Sequence, residues 1–505
     1  MEFLMSIWEF FARNILTQPA YFIGFIVLFG YLLLKKPLYE ALAGFLKATV
    51  GYMILSVGSG GLVNNFRPIL VGLKDRFNLN AMVIDPYFGQ NAVQAGMEAA
   101  GRAFSQVMLL LLIAFVFNIL LVAFRKYTKI RSVFTTGHVQ MQQASTAFWI
   151  ILFCFPQLGD VQYLVIMGLV LGVYWAVGSN LTVEISQNLT DGAGFCVAHQ
   201  QMFGLKFFSM LSEKMGKGKN TRKLEDVQFP GFLSIFNENM VSTAVLMTVF
   251  FGSILLILGR DYLVEAKFMA ASANFFFYIL TTSLNFAVYL AILQLGVRTF
   301  VTELTHSFQG ISTRILPGAV PGIDCAAVYG FGSPNAVTIG FLFGALGQFI
   351  AIFTLILLKS PTLVIAGFVP VFFDNATIAV FANNKGGIKA AMLMPFLSGL
   401  CQVFGSAFIA SFIGLAGYGG YLGMWDWAVV WPVFTVIMKY LSFAGVGIVV
   451  IVMLLIPQLQ YRANKDTYFL ITDDYEAYKK KVGIEKYTII TIGGKNYAKN
   501  FGILR

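Results

Sequence analysis

Two histidines of this chain stand beside glutamines inside apolar sequence, and they are the first candidates for a polar binding site. His138 lies in the segment 136–143, and His199 lies in the segment 194–201. Imidazole and amide groups offer both hydrogen-bond donors and acceptors. Because polar groups without partners are costly at membrane depth, the two clusters indicate a hydrophilic ligand that has to cross the membrane.

The spacing of these residues suggests how they would bind one solute. His138 and Gln142 are four positions apart, so a helix would place both on one face. His199, Gln200 and Gln201 offer the same groups consecutively. Hydrogen bonding between helices is the alternative explanation for each cluster. Metal binding is not favoured, because no acidic or cysteine ligand stands at the usual spacings and a glutamine amide is a poor zinc ligand.

Carboxylates in irregular stretches are the next candidates. Asp324 follows the Pro- and Gly-rich residues 316–323, and an ionisable residue in such a place is a functional candidate by default. It could accept hydrogen bonds from hydroxyl groups or act as a base on one. The segment 367–377, which contains Asp374, has the pattern of a second discontinuous helix. Capping of a helix N-terminus is an equal alternative role for Asp374.

The glycine-rich residues 58–61, which include Ser59, lack the Lys-Ser/Thr of a phosphate loop, so nucleotide binding is not expected. They would let a span unwind and present backbone N–H groups and the Ser59 hydroxyl to a ligand. Close helix packing is the alternative. None of these motifs carries Lys or Arg, so a neutral or singly negative, hydroxyl-rich solute fits best. His306, near Glu303, is predicted to be a solvated surface residue.

The elements that must position these groups are membrane helices. The chain has 505 residues, 58% of them hydrophobic and 12% charged, and a mean hydropathy of +0.75, which favours one polytopic bundle over soluble domains. The predicted fold is all-α, with about eleven spans, re-entrant segments and amphipathic linking helices. The spans are expected near 20–34, 41–63, 105–124, 144–157, 161–178, 240–258, 268–296, 335–358, 362–381, 390–412 and 428–457.

The placement of Lys and Arg predicts the orientation, because basic loops stay in the cytoplasm. With the N-terminus outside and the first span retained, the basic residues of 35–36, 125–131, 206–223, 385–389 and the tail all fall inside. The net charge of +11 is then explained by topology and anionic lipid, and nucleic-acid binding is not expected. Four scattered cysteines are expected to be small buried hydrophobic residues.

A weak internal repeat divides the chain. Residues 52–58 and 290–296 share an Ile-Leu-x-x-Gly ending, and both are followed by an apolar stripe at helical spacing. With one residue inserted, Asp85 aligns with Asp324. Five spans per repeat would make the repeats inverted. The predicted divisions are a first repeat (1–205), a basic cytoplasmic loop (206–239), a second repeat (240–427), an additional final helix (428–457) and a cytoplasmic tail (458–505), with core and scaffold domains interleaved from both repeats.

At these motifs the chain resembles the ascorbate-specific membrane permeases, the IIC components, of the bacterial sugar phosphotransferase system. The similarity runs from about residue 20 to residue 456. The matching stretches are Gly58-Ser59-Gly60, Asp85-x-Tyr87, Thr136-Gly137-His138, Gln142-Gln143, Gly194-Phe195, His199-Gln200-Gln201, Arg314-x-x-Pro317-Gly318-Ala319-Val320, Ile323-Asp324-Cys325-Ala326-Ala327 and Phe372-Phe373-x-Asn375-Ala376-Thr377-Ile378.

The resemblance implies a homodimer in the bacterial inner (cytoplasmic) membrane, in which a core domain carries L-ascorbate past a scaffold domain by an elevator movement. It also implies a cytoplasmic IIB protein, phosphorylated on cysteine and supplied by IIA, that transfers phosphate to the bound sugar. The chain itself would not be phosphorylated and would need no cofactor, metal or catalytic residue. Carried over by position, the site residues are Ser59, Tyr87, His138, Gln142, Gln143, His199, Gln200, Gln201 and Asp324.

Within this resemblance, the glutamines and histidines are expected to bind the lactone and enediol oxygens, and Asp324 to orient the terminal hydroxyls. Pro86 departs from the family pattern and removes a backbone donor beside Tyr87. The tail has no IIA or IIB signature. Three alternatives remain: an ion-coupled secondary transporter of another hydroxylated or weakly acidic solute, an intramembrane enzyme, and a galactitol-type permease.

Overall fold

The computed structural model describes residues 19–77, 81–217, 221–227, 231, 239–316, 318–483, 488–492 and 495–499, most of them helical. The helices are α1 Pro19–Leu33, α2 Leu38–Phe77, α3 Pro86–Ala99, α4 Ser105–Ala123, α5 Arg125–Thr128, α6 Gly137–Cys154, α7 Asp160–Leu189, α8 Met202–Gly216, α9 Asn239–Leu258, α10 Arg260–Glu265, α11 Phe275–Ile315, α12 Pro334–Leu357, α13 Asn375–Phe412, α14 Trp425–Ala463, α15 Leu470–Asp473 and α16 Tyr475–Val482.

Most of the expected spans are apolar helices. Among the described residues, six segments are long and apolar enough to cross a membrane: Leu38–Gly58, Gln106–Ala123, Asp160–Leu189, Asn335–Leu357, Pro370–Phe412 and Trp425–Ala463. Shorter apolar helices cover Ile23–Leu33, Met247–Leu258 and Phe275–Tyr289. The polytopic helical class is therefore confirmed, whereas the number of eleven spans stays a prediction.

Two small parallel sheets lie inside the helical bundle. The strands are β1 Ala81–Ile84, β2 Ser132–Phe134, β3 Cys196–Val197, β4 Val320–Ile323, β5 Leu363–Ala366 and β6 Gly420–Tyr421. The first sheet has the order β5-β1-β6 and the second has the order β2-β4-β3. Each sheet combines strands from both halves of the chain, and exchanging β1 with β4, β2 with β5 and β3 with β6 converts one order into the other.

Helix packing falls mainly into two groups. Helices α1, α2, α9 and α11 pack against one another, with α2 and α11 in long contact. Helices α4, α6, α7, α8, α12, α13 and α14 pack around the sheets. The two long helices α2 and α11 lead directly into the central strands β1 and β4. We call these groups the α2/α11 bundle and the sheet bundle.

The expectation of a single span at 362–381 is wrong. This stretch contains strand β5, followed by a π-helical turn at Pro370–Asp374 that leads into α13. A short apolar run bounded by Gly and Pro fits a buried strand as well as a helix segment, and pairing with β1 decides the matter. Helix α13 is itself interrupted at Gly387, whose φ of 69° suits glycine.

Helix α2 does not unwind at its glycine-rich residues. The helix is continuous through positions 58–61. A Cβ atom placed on Gly61 would stand 2.1 Å from a ring carbon of Tyr289 in α11, so the absence of a side chain there permits the close approach of the two long helices. The alternative explanation, helix packing by small residues, accounts for Gly61, whereas a Cβ atom on Gly60 would contact nothing in the described part of the chain.

The tail beyond α14 packs onto the sheet bundle. An antiparallel pair of strands, β7 Thr488–Ile492 and β8 Lys495–Lys499, follows α16. Ile471 forms a small apolar cluster with Val183, Cys196 and Val320. Arg125 pairs with Asp473 at 2.9 Å. The tail therefore covers the second sheet, which combines the strands β2, β4 and β3.

Arg131 is the centre of this contact. Its guanidinium is fully buried, donates to the Tyr468 carbonyl at 2.7 Å and to the Asn180 side-chain oxygen at 3.1 Å, and lies 3.6 Å from the centre of the Tyr468 ring. Burial raises the pKa of Tyr468, so the phenol stays neutral and donates to the Lys129 carbonyl at 2.6 Å. One buried cation thus joins the start of β2, helix α7 and the tail.

Replacing Arg131 with methionine is expected to release the tail. Methionine keeps much of the side-chain volume but leaves Asn180 and the Tyr468 carbonyl without their charged donor, a loss of about 3 kcal/mol for a buried partner. Limited trypsin cleavage at the exposed Lys465 measures the release. The control Lys126→Met changes an exposed lysine of the short helix α5, five residues before Arg131. Equal cleavage of both variants and wild type would show that Arg131 does not hold the tail.

Candidate binding site

The candidate site lies at the carboxyl ends of the second sheet. Strands β2, β3 and β4 are parallel, and the pairs Phe134–Gly322 and Cys196–Gly322 place their ends side by side. His138 follows β2, His199 follows β3 and Asp324 follows β4. Because parallel strands end at a common edge, residues distant in sequence meet there.

Threonine side chains lock the three strand ends together. Thr135 donates its hydroxyl to the Gly322 carbonyl at 2.7 Å, and Thr136 donates to the Ala198 carbonyl at 2.7 Å. The Ala198 backbone N–H donates to the Ile323 carbonyl at 2.8 Å. The peptide segments that carry the polar residues are therefore held by hydrogen bonds that leave the site side chains free for other contacts.

Two imidazoles and one carboxylate form the centre of the site. His138 Nε2 lies 3.3 Å from Asp324 Oδ2, and one ring nitrogen of each histidine and one carboxylate oxygen lie within 4.8 Å of one another. His199 Nδ1 lies 2.7 Å from Gln201 Oε1. Since an amide oxygen only accepts, Nδ1 of His199 carries the proton when the ring is neutral, and Nε2 is then an acceptor.

The carboxylate of Asp324 is held from two sides. Its Oδ1 accepts the Ala326 backbone N–H at 2.8 Å and caps the 3₁₀ turn Cys325–Val328. Its Oδ2 faces His138, as described. This arrangement fixes the carboxylate at the edge of the site, where hydroxyl groups of a ligand can donate to it.

The four glutamines divide into two roles. Gln200 donates to Gln142 Oε1 at 2.6 Å, and Gln200 Oε1 is buried without a partner among the described residues, as is His138 Nδ1. These two atoms are available to a ligand. Gln143 instead accepts from the Trp175 indole at 2.5 Å and donates to the His199 carbonyl at 3.3 Å, so it positions the His199 segment.

Tyr87, which follows strand β1 in the chain, is the next expected site residue. It lies in the first turn of α3 and is 6% exposed. Asp85 caps this helix by accepting the Tyr87 backbone N–H at 3.0 Å. Pro86 occupies the first helical position, where a missing N–H costs nothing. Pro86 therefore costs α3 no hydrogen bond, and the Tyr87 backbone N–H keeps its acceptor in Asp85.

Ser59 is the expected site residue whose contribution stays open. Its backbone belongs to α2, but its side chain lies outside the described part of the chain. His306, by contrast, is exposed on α11, as the sequence predicts. Cys154, Cys196 and Cys325 are buried, as expected, whereas Cys401 is only partly buried, so the expectation of four buried cysteines holds for three.

Several residues of the site were not predicted. Phe300 of α11 is fully buried and meets the His138 ring edge-on at 6.0 Å. Asp426 accepts from the Tyr174 hydroxyl at 2.7 Å and the Gly204 N–H at 3.0 Å, and its own N–H donates to the Gln200 carbonyl at 3.3 Å. The sequence signal for Asp426 was its position between Trp425 and Trp427, because a lone acid in an apolar run needs partners.

The chemistry of the site is recognition by hydrogen bonds. Asp324, Gln200 and His199 can accept from ligand hydroxyls, and no Lys or Arg side chain is paired with the three central groups among the described residues. Two imidazoles and a carboxylate are also a donor set that Zn²⁺ accepts. Sequence spacing did not reveal this, because Asp324 comes from the other half of the chain.

A family model described as "PTS system sugar-specific permease component" matches residues 14–428 of this chain. The chain belongs to this permease family. The match covers every residue of the candidate site and both bundles up to the start of α14, and it confirms the family resemblance that the polar motifs indicated. As a member with several apolar helices, the permease is a multi-pass membrane protein.

A relative of the permease carries a more specific name. The "Ascorbate-specific PTS system EIIC component" of Mycoplasma pneumoniae is 34% identical over 441 residues, which are 79% of this chain and 66% of that protein. The permease therefore spans about two thirds of the length of this relative.

Proposed function

We propose that the permease carries L-ascorbate across the bacterial inner membrane by group translocation. The observation that supports this most directly is the meeting of His138, His199 and Asp324 beside Gln200, which offers hydrogen-bond donors and acceptors, one of them a carboxylate, to a compact, hydroxyl-rich solute. The name of the relative from Mycoplasma pneumoniae favours ascorbate over a polyol such as galactitol.

Within the proposal, the glutamines and histidines bind the ring oxygens and Asp324 accepts from the terminal hydroxyls. The unpartnered Gln200 Oε1 and His138 Nδ1 take ligand hydrogen bonds, because a buried polar atom without a hydrogen bond is costly. A single negative charge on the ligand is met by backbone N–H groups at strand and helix ends. His138 or His199 donates to it when protonated.

The movement proposed is an elevator displacement of the sheet bundle along the α2/α11 bundle. His138 belongs to the sheet bundle and Phe300 to the α2/α11 bundle, so their ring contact supports a site at the boundary between the two bundles. The exchange symmetry of the two sheets supports inverted repeats, for which alternating access supplies a reason. The homodimer, with the α2/α11 bundle as scaffold, and the cytoplasmic C-terminus belong to the same proposal.

Phosphate would reach the bound sugar from a phosphocysteine of a cytoplasmic IIB protein, which IIA recharges. The phosphorus–sulfur bond breaks, a phosphorus–oxygen bond to the terminal hydroxyl forms, and the released thiolate takes up the hydroxyl proton. The product is ascorbate 6-phosphate. No residue of the permease forms a covalent bond in this step.

The test is uptake of labelled L-ascorbate in cells that express the permease with and without a phosphorylated IIB protein. We expect uptake that depends on IIB, and an internal product that carries phosphate. Galactitol in excess serves as the competitor that should not inhibit. Unmodified ascorbate that accumulates without IIB and collapses with an uncoupler would contradict group translocation and support ion coupling.

A further inference from the structure

A second buried polar cluster lies behind the binding site. It consists of Gln348 in α12, Asp374 at the end of the π-helical turn, and Asn375 and Gln402 in α13. All four side chains are at most 1% exposed. We call this group the Asp374 cluster. None of its members was assigned to the substrate site, and a buried carboxylate at membrane depth needs a partner.

The hydrogen bonds of the Asp374 cluster converge on Gln402. The Gln402 amide donates to Asp374 Oδ2, which also accepts the Trp425 backbone N–H at 2.8 Å. Gln402 Oε1 accepts from the Gln348 amide at 2.6 Å and from the Asn375 amide at 3.2 Å. The four side chains therefore meet around one amide group.

This network leaves an excess of acceptors. Gln348 Oε1, Asp374 Oδ1 and Asn375 Oδ1 are buried and have no hydrogen-bond partner among the described residues. Two serine hydroxyl oxygens, those of Ser398 and Ser406, are unpartnered as well, and they stand one helical turn before and after Gln402. A serine hydroxyl can also donate, but three unpartnered amide and carboxylate oxygens outnumber these two hydroxyl donors.

Reversing the amides does not remove the excess. The Asn375 amide nitrogen donates to the carbonyls of Pro370 at 3.1 Å and Val371 at 3.3 Å, so its oxygen cannot take that place. The Gln402 nitrogen faces Asp374 Oδ2 and, at 3.4 Å, the Pro370 carbonyl. These contacts fix the amide orientations and keep the acceptor oxygens unsatisfied.

Oxygen ligands around one carboxylate match a hard cation of single charge. Hard cations prefer carboxylate, amide and hydroxyl oxygens, and transporters hold such ions at broken helices. One carboxylate balances one positive charge, whereas a divalent ion would remain uncompensated. We propose that the Asp374 cluster binds a Na⁺ ion through the oxygens of Asp374, Asn375 and Gln348.

The ion would stabilise the substrate site from behind. The Phe373 carbonyl accepts from Gln201 at 3.5 Å and from the Tyr329 hydroxyl at 3.2 Å. Asp374 holds the Trp425 N–H, and the next residue, Asp426, donates to the Gln200 carbonyl. A cation that fixes Asp374 thus orders the supports of two site glutamines. This effect on substrate rests on the proposed function, whereas ion binding itself does not.

The first test is binding of radioactive Na⁺ to the purified full-length permease, without substrate and without IIB. We expect saturable binding of one ion per chain, and a thermal unfolding temperature that rises with NaCl but not with choline chloride. The variant Asp374→Asn removes the charge and should lose both effects. Asp466→Asn is the matched control, because it makes the same substitution at an exposed carboxylate of the tail, and it should retain them.

Each other outcome overturns the proposal. If wild type binds no Na⁺ and its stability follows pH equally in sodium and choline, the Asp374 cluster holds a proton instead. If Asp374→Asn keeps a wild-type Na⁺ response, the ion binds elsewhere. These results stand even if Asp374→Asn fails to fold, since the wild-type titration decides first. Ascorbate affinity, expected to fall about tenfold in choline, tests the link to substrate separately.

Discussion

Replacing Asp324 with asparagine is expected to abolish measurable ascorbate uptake while the permease still folds and inserts. The change keeps the side-chain volume and the cap on Ala326, but it removes the charge that faces His138 at 3.3 Å. Losing one member of a buried charge-assisted contact costs about 2–5 kcal/mol, which is about 30-fold or more in affinity. The measurement is ascorbate binding to purified protein, together with uptake in cells.

The matched control is Asp466→Asn, which makes the same substitution at an exposed position of the tail. It should leave affinity and uptake unchanged. Size-exclusion behaviour of both variants separates a folding defect from a binding defect. Wild-type affinity in a well-folded Asp324→Asn protein would remove Asp324 from the site and leave the histidine and glutamine contacts to explain recognition.

The second large effect is expected for His199→Ala. This substitution removes the acceptor Nε2 and breaks the contact of Nδ1 with Gln201 at 2.7 Å, so Gln201 loses its orientation as well. We expect affinity to fall by about 10- to 100-fold, since leaving a buried hydrogen-bonding partner unsatisfied costs about 1–3 kcal/mol. Isothermal titration with ascorbate measures the change.

His306→Ala serves as the control for this experiment. His306 is exposed on α11, so its removal should change neither affinity nor stability. His199→Gln adds a further test, because an amide can supply a hydrogen bond to the ligand or to Gln201 and should recover part of the loss. If His199→Ala binds ascorbate as tightly as His306→Ala does, the imidazole has no part in recognition.

Much of the architecture could be predicted from local sequence. Long apolar runs indicate membrane helices, because every turn of a helix within the bilayer needs apolar side chains. The expected helices near 105–124 and 335–358 therefore match α4 and α12 closely. The prediction of one span at 362–381 was wrong, because a strand and a helix segment can have the same apolar composition. Only the pairing of β5 with β1 distinguishes the strand from a helix.

The sequence by itself determined the membrane class, the family, and two polar clusters whose histidines and glutamines the structure buries side by side. Polarity inside an apolar chain is a local signal, so it needs no partner to be recognised. The tertiary structure alone decided that Asp324 meets His138, because parallel pairing of β2 with β4 joins the two halves of the chain. It also decided that Gln143 positions the His199 segment and that Asp374 leads a second cluster, since hydrogen-bond partners depend on distances that no spacing in the sequence records.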